Sequence, residues 1–480
     1  MSSFSGLNTA TTALWAAQRG LDVTGQNIAN VNTDGYSRQR VELQSVNGNT
    51  VPAIHSVSNQ VGQGVDADTV IRIRDAFLES RAQAERANSA RLTAESAGLS
   101  AVENALREPG SSGIQSMLAD MWDGWSDVAN HPEDLAARSQ LLQRTETLVS
   151  GLRTADGVLG AEWEKTRDNL DALVADVNAA ARSIADLNAA IQKASRAGLP
   201  VNELADKRDV FVLQLAEKVG ATGRAGADGQ VDVSIGGTSL VTGDTATALE
   251  LTGTTDSRSA APGDPRLVTR PGGTTVRPGG TAEGQLSVLG TILPGYRGRL
   301  DAIASQVART LNDAQAGTGT EPAYDLDGDV GGPMVDDGTG AVTVDPATVT
   351  AANIRLRLTR PQDVAAALLA PDAAGPSLDG GNAAAAHRLR LDQTGVDATY
   401  RALVVDLGVQ AAVVARNSDI QDVITAQVDS ARESVSGVNL DEEMTRMMSF
   451  QHAYSAAARM VTAIDESLDV LINRMGRVGL

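Results

Sequence analysis

The two ends of this 480-residue chain carry the same helical pattern, which constrains the fold more than any other feature. Apolar residues recur at alternating steps of three and four, so they form one narrow stripe along a helix. Near the N-terminus the stripe consists of Leu7, Ala10, Leu14, Ala17, Leu21, Thr24, Ile28 and Val31. Near the C-terminus it consists of Met447, Phe450, Tyr454, Ala457, Val461, Ile464, Leu468, Leu471 and Met475. Each stripe predicts a coiled-coil seam.

The first helix is expected to be weak by itself. It contains Gly6, Gly20 and Gly25, and each glycine inside a helix costs about 0.8–1 kcal/mol relative to alanine. A marginal helix needs a partner to persist. Both ends could pack into an ordinary helical bundle, or they could pack between subunits. We favour the second interpretation and expect a protease to remove about 40–60 residues from each end of the monomer first.

The centre of the chain alternates between helical and strand-like segments. Long helical patterns cover residues 76–108, 133–196 and 201–219, and Gly198, Leu199 and Pro200 end the second of them. After Gly220, period-two alternation with glycine turns indicates β-hairpins. Helical periodicity resumes near Ala282, with a kink expected at Pro294 and Gly295. Residues 317–359 suggest short strands and loops, and the last helical half begins near Thr394.

This order predicts a mainly α fold with β-rich insertions (α+β), in an elongated nested architecture with terminal coiled-coil helices and an inner helical-hairpin domain. The N-terminal part of the chain would run outward along one axis, and the C-terminal part would run back along it. We expect residues 1–40 and 436–480 to form a terminal coiled-coil assembly domain. Residues 41–316 and 379–435 would form a helical domain with β-hairpins, and residues 317–378 a small β-rich outer insertion.

Composition excludes several classes of function. The net charge of −20 repels phosphate backbones and anionic membranes, so nucleic acid is a poor candidate partner. Aromatic residues make up 3% of the chain, which disfavours an aromatic-lined small-molecule pocket. There is no cysteine to form a disulfide or a thiolate metal site. We also expect no cleaved secretory signal, no transmembrane helix and no membrane insertion.

No residue cluster predicts catalysis or a metal site. The four histidines, His55, His131, His387 and His452, are far apart in sequence and have no suitably spaced ligand partner. The Asp325–Asp329 segment resembles the start of a calcium loop but lacks its glycine and glutamate, so we interpret it as a turn. The paired glycines match no phosphate-binding motif. We therefore predict that the chain is not an enzyme and binds no cofactor or metal.

A sequence motif follows the first seam. Residues 26–39 read Gln-Asn-Ile-Ala-Asn-Val-Asn-Thr-Asp-Gly-Tyr-Ser-Arg-Gln, which resembles the signature of bacterial flagellar axial proteins. In such a turn Gly35 can supply a positive φ, and Tyr36 can anchor the strand that leaves the helix. The short polar side chains can bond the freed backbone; they are Asn30, Asn32, Thr33 and Asp34.

A second motif narrows the resemblance. Residues 436–443, Ser-Gly-Val-Asn-Leu-Asp-Glu-Glu, lead into the final seam, and Gly437, Asn439, Leu440 and Asp441 resemble those of hook-associated protein 1, the FlgK-type hook-filament junction family. Residues 202–209 resemble that family's helix before its first β-hairpin. The acidic residues 441–443 also favour the start of a helix, by about 0.3–1 kcal/mol.

The resemblance implies a structural role in the bacterial flagellum. Members of the family are exported by the flagellar type III apparatus, with a chaperone at the C-terminal region, and form a ring-like homo-oligomer between the hook protein and the second junction protein. It implies an extracellular location, after a transient stage in the cytoplasm. It also implies an inner coiled coil built from Leu7, Leu14, Leu21 and Ile28 with the C-terminal seam. Residues 317–359 are shorter than the family leads us to expect.

Two other interpretations remain open from the sequence. The chain could be a different flagellar axial subunit, such as the hook protein or the second junction protein. It could also be a coiled-coil adaptor outside the flagellum, which would stay monodisperse with ordered ends.

Overall fold

The fold is carried by ten α-helices within the residues that the structure, a computed structural model, describes. These residues are 3–46, 62–259, 263–317, 321–341, 343–373, 375 and 377–470. The helices are α1 Ser3–Ala29, α2 Ala76–Leu106, α3 Ile114–Asn130, α4 Leu135–Arg196, α5 Asn202–Val219, α6 Gly280–Ser287, α7 Leu293–Ala316, α8 Gly381–Arg388, α9 Val396–Ser436 and α10 Leu440–Asp469.

Helix α4 is the axis of a central body. It runs for 62 residues, begins where the Asp134 side chain accepts a hydrogen bond from the Ala136 amide, and ends with Lys193 and Arg196 in its last turn. Helices α2, α3, α5, α6, α7 and α9 pack around it or against one another. The core contains Trp122, Trp125 and Trp163, each 0–1% exposed. The predicted long helical segments are therefore present, with ends within a few residues of the expected positions.

Thirteen short strands lie in the described segments. They are β1 Gln39–Val41, β2 Gln44–Ser45, β3 Val65–Asp66, β4 Val70–Arg72, β5 Thr222–Ala225, β6 Val231–Ile235, β7 Thr238–Thr242, β8 Thr245–Ala246, β9 Ala248–Thr252, β10 Arg266–Arg270, β11 Thr275–Val276, β12 Val335–Asp336 and β13 Arg355–Leu356. Strands β5 to β8 form an antiparallel sheet in sequence order, and β9 to β11 form a second one. The β-hairpins expected after Gly220 are present.

The kink expected at Pro294 and Gly295 takes a different form. Helix α6 continues through a π-helical turn, Val288–Ile292, directly into α7. Pro294 lies in the first turn of α7. The helical irregularity is therefore the π-helical turn, which precedes Pro294.

Residues 317–378, predicted as a small β-rich outer insertion, contain less strand than that prediction suggests. Their described part has only the two-residue strands β12 and β13, three isolated bridges and two short 3-10 turns. Aspartate side chains bond nearby amides in the turns: Asp325 accepts from Asp327 and Asp329, and Asp345 from Ala347. These local bonds compete with strand pairing. The insertion buries Ala365, Ala366 and Ala367.

The first and last described helices pack together. Helix α1 packs along α10, and β1 pairs with β4 just after α1 ends. Helix α9 leads back from the body and ends at Ser436, four residues before α10 begins. The mainly α architecture with small sheets that the sequence predicts is confirmed.

The expectation of no transmembrane helix stays a prediction. One helical stretch, Gly381–Asp469, is long and apolar enough by length and composition, with a window of mean hydropathy 1.3. Only 17% of that window is buried. Length and composition alone are weak evidence for a span.

Candidate assembly interface

Helices α1 and α10 form an antiparallel pair, here called the terminal pair. Three facing positions define its register. A methyl group at Gly6 would lie 3.5 Å from Ile464 Cδ1, and one at Gly20 would lie 2.5 Å from a ring carbon of Phe450. Asn27 donates a hydrogen bond to Glu443 at 2.9 Å. Because Gly20 has no side chain, the Phe450 ring lies directly against the α1 backbone.

The seam residues face the line of contact between the two helices. Ala10, Ala17, Thr24 and Ala457 are buried. Tyr454 is 38% exposed. The larger seam residues are half-buried: Leu7, Leu14, Leu21, Ile28, Met447, Phe450, Val461, Ile464 and Leu468. Leu471 and Met475 lie outside the described residues. Two helices cannot surround one another, so each large seam side chain keeps part of its surface in solvent.

The terminal pair also carries apolar side chains away from its seam. Trp15 on α1 is 69% exposed, although the other three tryptophans of the chain are 0–1% exposed. On α10, Met444, Met448 and Met460 are 49, 52 and 49% exposed. A single exposed apolar residue is ordinary, but tryptophan and methionine are enriched where proteins contact one another.

The motif turn after α1 docks on the body. Asn30 donates to the Gln26 carbonyl at 2.9 Å, and Thr33 donates to the Asn30 side chain at 3.1 Å. Gly35 has a φ of 76°, and a methyl group there would lie 2.2 Å from Val210 Cγ2 of α5. Only glycine suits both the backbone angle and the space.

The other two polar residues of the motif turn lie in solvent. Asn32 and Asp34 are exposed, and no side-chain hydrogen bond of theirs is found within the described residues.

The C-terminal motif starts α10. The Asn439 side chain accepts hydrogen bonds from the Asp441 and Glu442 amides at 3.0 and 3.3 Å, which caps the helix. The Gly437 amide donates to the Glu433 carbonyl at 2.7 Å and so closes α9. Leu440 is 47% exposed. The exposed Asp441 lies in the first helical turn, where negative charge is favourable.

A buried polar cluster, here called the polar joint, holds the terminal pair at its inner end. It consists of Asn27, Tyr36, Arg38 and Glu443. The Arg38 guanidinium pairs with Glu443 at 2.9 Å and with Glu442 at 2.6 Å. Asn27 donates to Glu443 and accepts from the Tyr36 hydroxyl at 2.8 Å. Glu443 is 1% exposed, so this ion pair lies almost entirely out of water.

The polar joint continues into the body through backbone bonds and arginines. The Arg38 amide donates to the Ser436 carbonyl at the end of α9. The next residue back, Ser37, donates its amide to Asp206 of α5 at 3.2 Å. Arg72 bridges Asp206 and Asp209, each at 2.8 Å. These contacts connect both terminal helices, β4, α5 and α9 at one place.

Electrostatics at the polar joint favour a charged Glu442 and a neutral Tyr36. The hydrogen bond from Arg38, with the charge of the same residue, lowers the pKa of Glu442 below its ordinary value. Burial raises the pKa of Tyr36 well above its ordinary value, and Asp206 and Glu443 add to this effect. Tyr36 is thus a neutral donor to Asn27, and Glu442 a stable anion for Arg38.

Sequence reasoning missed most of the polar joint. Residues 441–443 were interpreted as a helix start, which Asn439 and Asp441 support, but Glu443 also forms the buried pair with Arg38. One signal was available. Asn27 is a polar residue beside the predicted seam, and a polar residue held inside an apolar interface usually has a partner.

The described residues contain no cluster of histidine and carboxylate that could hold a metal ion. His131 and His452 are exposed, and the His387 ring lies 2.8 Å from the Trp122 carbonyl. His55 lies outside the described residues. The Asp325 carboxylate is occupied by the amides of its own turn.

Comparison with known proteins gives the family. Flagellar hook-associated protein 1 of Bacillus subtilis (strain 168) is 30% identical to this chain over 518 aligned residues, covering 99% of each protein. This chain belongs to the flagellar hook-associated protein 1 family. The flagellar hook-associated protein 1 of Escherichia coli (strain K12) is 26% identical, covering 97% of this chain and 99% of that protein.

Family models agree with hook-associated protein 1 along the chain. Residues 99–335 match the flagellar hook-associated protein FlgK helical domain. Residues 7–36 match the flagella basal body rod protein model, and residues 430–475 match the C-terminal model of the flagellar basal body rod FlgEFG proteins. Both terminal matches include a predicted seam and its motif.

A solved structure shares the fold. The flagellar hook junction protein FlgK from Burkholderia pseudomallei has a TM-score of 0.63 and 16% identity, covering 74% of this chain and all of that one. The predicted family and junction function are confirmed, in preference to the alternatives of another axial subunit or an adaptor. As a hook-associated protein, the chain is a component of the flagellar axial structure outside the cell.

Proposed function

We propose that this chain joins the axial structure through its terminal pair, between the hook protein and the second hook-filament junction protein, and that its copies close into a ring-like homo-oligomer. The observation that carries the proposal is the incomplete burial of the terminal pair. Its seam residues are half-buried, and Trp15, Met444, Met448 and Met460 are exposed. Membership in the hook-associated protein 1 family supports the location.

Burial supplies the association energy. Covering apolar surface contributes about 25 cal/mol per Å². Tryptophan often carries a large share of binding energy at interfaces because it is large and loses little entropy on binding. Methionine adapts to partners of different shape. The terminal pair therefore has the side chains expected of a surface that contacts several different subunits in succession.

The test is addition of the purified full chain to isolated hooks that lack junction proteins, with tip occupancy counted by electron microscopy. Trp15→Glu and Met448→Glu should each lower tip occupancy at least about tenfold, because a charge must then be buried. Leu369→Glu is the matched control, since Leu369 is 66% exposed but lies in the outer insertion. Equal occupancy by the wild type and the terminal variants would contradict the proposal.

The division of the chain is part of the proposal. Residues 1–40 with 436–480 form the assembly domain, residues 41–316 with 379–435 the helical domain, and residues 317–378 the outer insertion. The polar joint and the end of α9 at Ser436 support the first boundary. Limited proteolysis of the monomer should remove the ends before the centre, and their protection on hook tips would support assembly-dependent order. Equal resistance of ends and centre would contradict it.

The route to the junction completes the proposal. The chain is exported by the flagellar type III apparatus, and a chaperone holds its C-terminal region in the cytoplasm before export. Resemblance to the family supports this route. In cells without a working export apparatus the chain should remain in the cytoplasm, and in cells with one it should be found with the flagella. Appearance outside export-deficient cells would contradict the route.

The role is mechanical rather than catalytic. A junction subunit must match a flexible hook to a stiffer filament, and this requires stable contacts on two sides. Detection of turnover or of a bound cofactor in the purified chain would count against it.

A further inference from the structure

One face of α9 carries an unpartnered row of side chains, mostly aliphatic, here called the outer row. Val405, Val409, Ile420 and Val423 are 60, 56, 53 and 69% exposed. At 100° per residue they project from one side of the helix together with the exposed small and polar residues of the row, Ala412, Arg416 and Gln427. The row extends for about 33 Å at the helical rise of 1.5 Å per residue.

The opposite face of the same helix packs on the body: Leu407 and Val428 are each 3% exposed, and polar contacts lie beside them. Gln421 donates to the Glu85 carboxylate at 2.7 Å. Ser89 donates to Asp422 at 2.8 Å. Over this length α9 therefore packs one face on its own chain with apolar and polar side chains, and turns a second, mostly aliphatic face to solvent. The outer row lies outside these contacts, and an exposed, mostly aliphatic strip, interrupted here by Arg416, marks an interaction surface.

The spacing of the outer row is symmetric about its midpoint, Arg416. Its other members lie four, seven and eleven residues before and after that position. A two-fold axis through Arg416 would place Val409 against Val423 of a second copy, and Ala412 against Ile420 of that copy. Pairing small residues with large ones lets two helices approach closely. A self-complementary surface of this kind fits an isologous dimer.

The polar residues of the outer row fit the same arrangement. Gln427 would lie opposite Val405 at each end of the helix pair, where its amide stays in water. Arg416 and Asp419 are both exposed, and neither forms an ion pair within the described segments. In an antiparallel pair centred on Arg416, each guanidinium lies within one helical turn of Asp419 of the second copy. Two symmetric ion pairs can then offset the meeting of the two arginines at the axis.

A lipid surface fits the outer row less well. Asp406, Asp419 and Asp422 flank the row, and Arg416 is the cation within it. Helices that lie on membranes carry lysine and arginine along their polar face. The acidic flanks and the net charge of −20 would repel an anionic bilayer.

We infer that a second copy of this chain covers the outer row, forming an antiparallel two-fold dimer of the soluble protein through α9. The inference goes beyond the proposed function, because copies related by a rotation and translation along one axis point in one direction and cannot form this dimer. One helix pair is a small interface, so the dimer should be weak and dissociate before assembly, with a dissociation constant on the order of 10–100 µM.

Sedimentation equilibrium of the full chain tests the dimer. The wild type should associate over a concentration series reaching about 500 µM. Val409→Asp and Val423→Asp should each raise the dissociation constant at least about tenfold, with unchanged circular dichroism. Val330→Asp is the matched control, at a valine that is 57% exposed in the outer insertion. A wild type that stays monomeric, or an equal loss in the control, overturns the inference.

Single-cysteine variants test the orientation, and the chain has no cysteine of its own. Under oxidation Arg416→Cys should form a disulfide-linked dimer, because position 416 meets itself at the axis. Val405→Cys should not, because its counterpart lies about 33 Å away in an antiparallel pair. Equal cross-linking of both variants would mean a parallel pair and would overturn the antiparallel arrangement.

A charge exchange and two binding assays complete the test. Arg416→Glu should weaken the dimer, and adding Asp419→Arg should restore it, which isolates the cross-axis pair.

Cosedimentation of the wild type, but not Val409→Asp, with phosphatidylglycerol and phosphatidylethanolamine vesicles would overturn the inference in favour of lipid. Hook-tip addition by Val409→Asp should equal that of the wild type, so failure of the dimer and failure of the proposed function give different results.

Discussion

In the body, α4 buries most of its apolar face, whereas the terminal pair buries only part of an equally regular face. Leu148, Leu152 and Leu159 on α4 are 0% exposed. In the terminal pair the buried apolar side chains are alanines, and Tyr454 is 38% exposed. The body surrounds its seam with several helices and two sheets. The terminal pair has two helices, so its stability as a monomer depends more on the polar joint at its inner end.

The largest expected effect is a core truncation in the body. Trp163→Ala should lower the free energy of unfolding by about 3–5 kcal/mol, because it leaves a cavity and removes the donor to the Leu289 carbonyl. Tyr454→Ala in the terminal pair should cost less than about 1 kcal/mol, because that side chain is already partly in solvent. Urea unfolding of both variants measures the difference. Similar losses would mean that the terminal pair is as well packed as the body.

The polar joint should give an effect of similar size that is confined to the terminal pair. Glu443→Gln removes the buried charge that faces Arg38, and breaking a buried ion pair typically costs about 3–5 kcal/mol. The loss should be local. Hydrogen exchange should quicken in α1 and α10 and remain unchanged in α4. Asp441→Asn is the control in the same helical turn and should have a small effect, because Asp441 is exposed.

If α4 exchanges as fast as α1 in Glu443→Gln, the terminal pair and the body are one cooperative unit. The comparison between the two regions would then fail.

Two glycines of α1 should respond in opposite directions. Gly20→Ala should destabilise the terminal pair by about 1–3 kcal/mol, because a methyl group would lie 2.5 Å from the Phe450 ring. Gly25→Ala should stabilise it by about 0.5–1 kcal/mol, because nothing lies within 4 Å of that position and alanine favours helix. Hydrogen exchange within α1 measures both changes. A stabilising Gly20→Ala would exclude the close approach of Phe450.

Lowering the pH should destabilise the terminal pair more than the body, and this effect should be smaller than those of the substitutions above. The pKa of Glu442 is lowered by Arg38, so its contribution to the terminal pair is present near neutral pH and is lost as the pH falls through that lowered pKa. Burial raises the pKa values of Asp301 and Asp397 in the body, so their contributions are present at low pH and are lost as the pH rises through those raised values.

Between about pH 5 and pH 3, peptic cleavage should therefore increase in the terminal pair before it increases in the body. Glu442→Gln should reduce that pH dependence. Cleavage of the body first would reverse the expected order.

Several features followed from local sequence. The alternating steps of Leu7 to Val31 and of Met447 to Met475 predicted two seams, and the acidic residues 441–443 predicted the start of a helix, which is α10. Gly35 was predicted to supply a positive φ, which the structure shows. The strand content of residues 317–378 was overestimated, because Asp325 and Asp345 use their carboxylates to hold turns.

The sequence by itself determined where helices form, which face of each is apolar and to which family the chain belongs, because periodicity, caps and glycine turns act over a few neighbouring residues. Only the tertiary structure decided that Arg38 meets Glu443 across 405 residues, and that α9 turns valines to solvent and polar side chains to α2. Burial and ion pairing depend on which distant segments come together. A helical stripe shows only that some partner is needed.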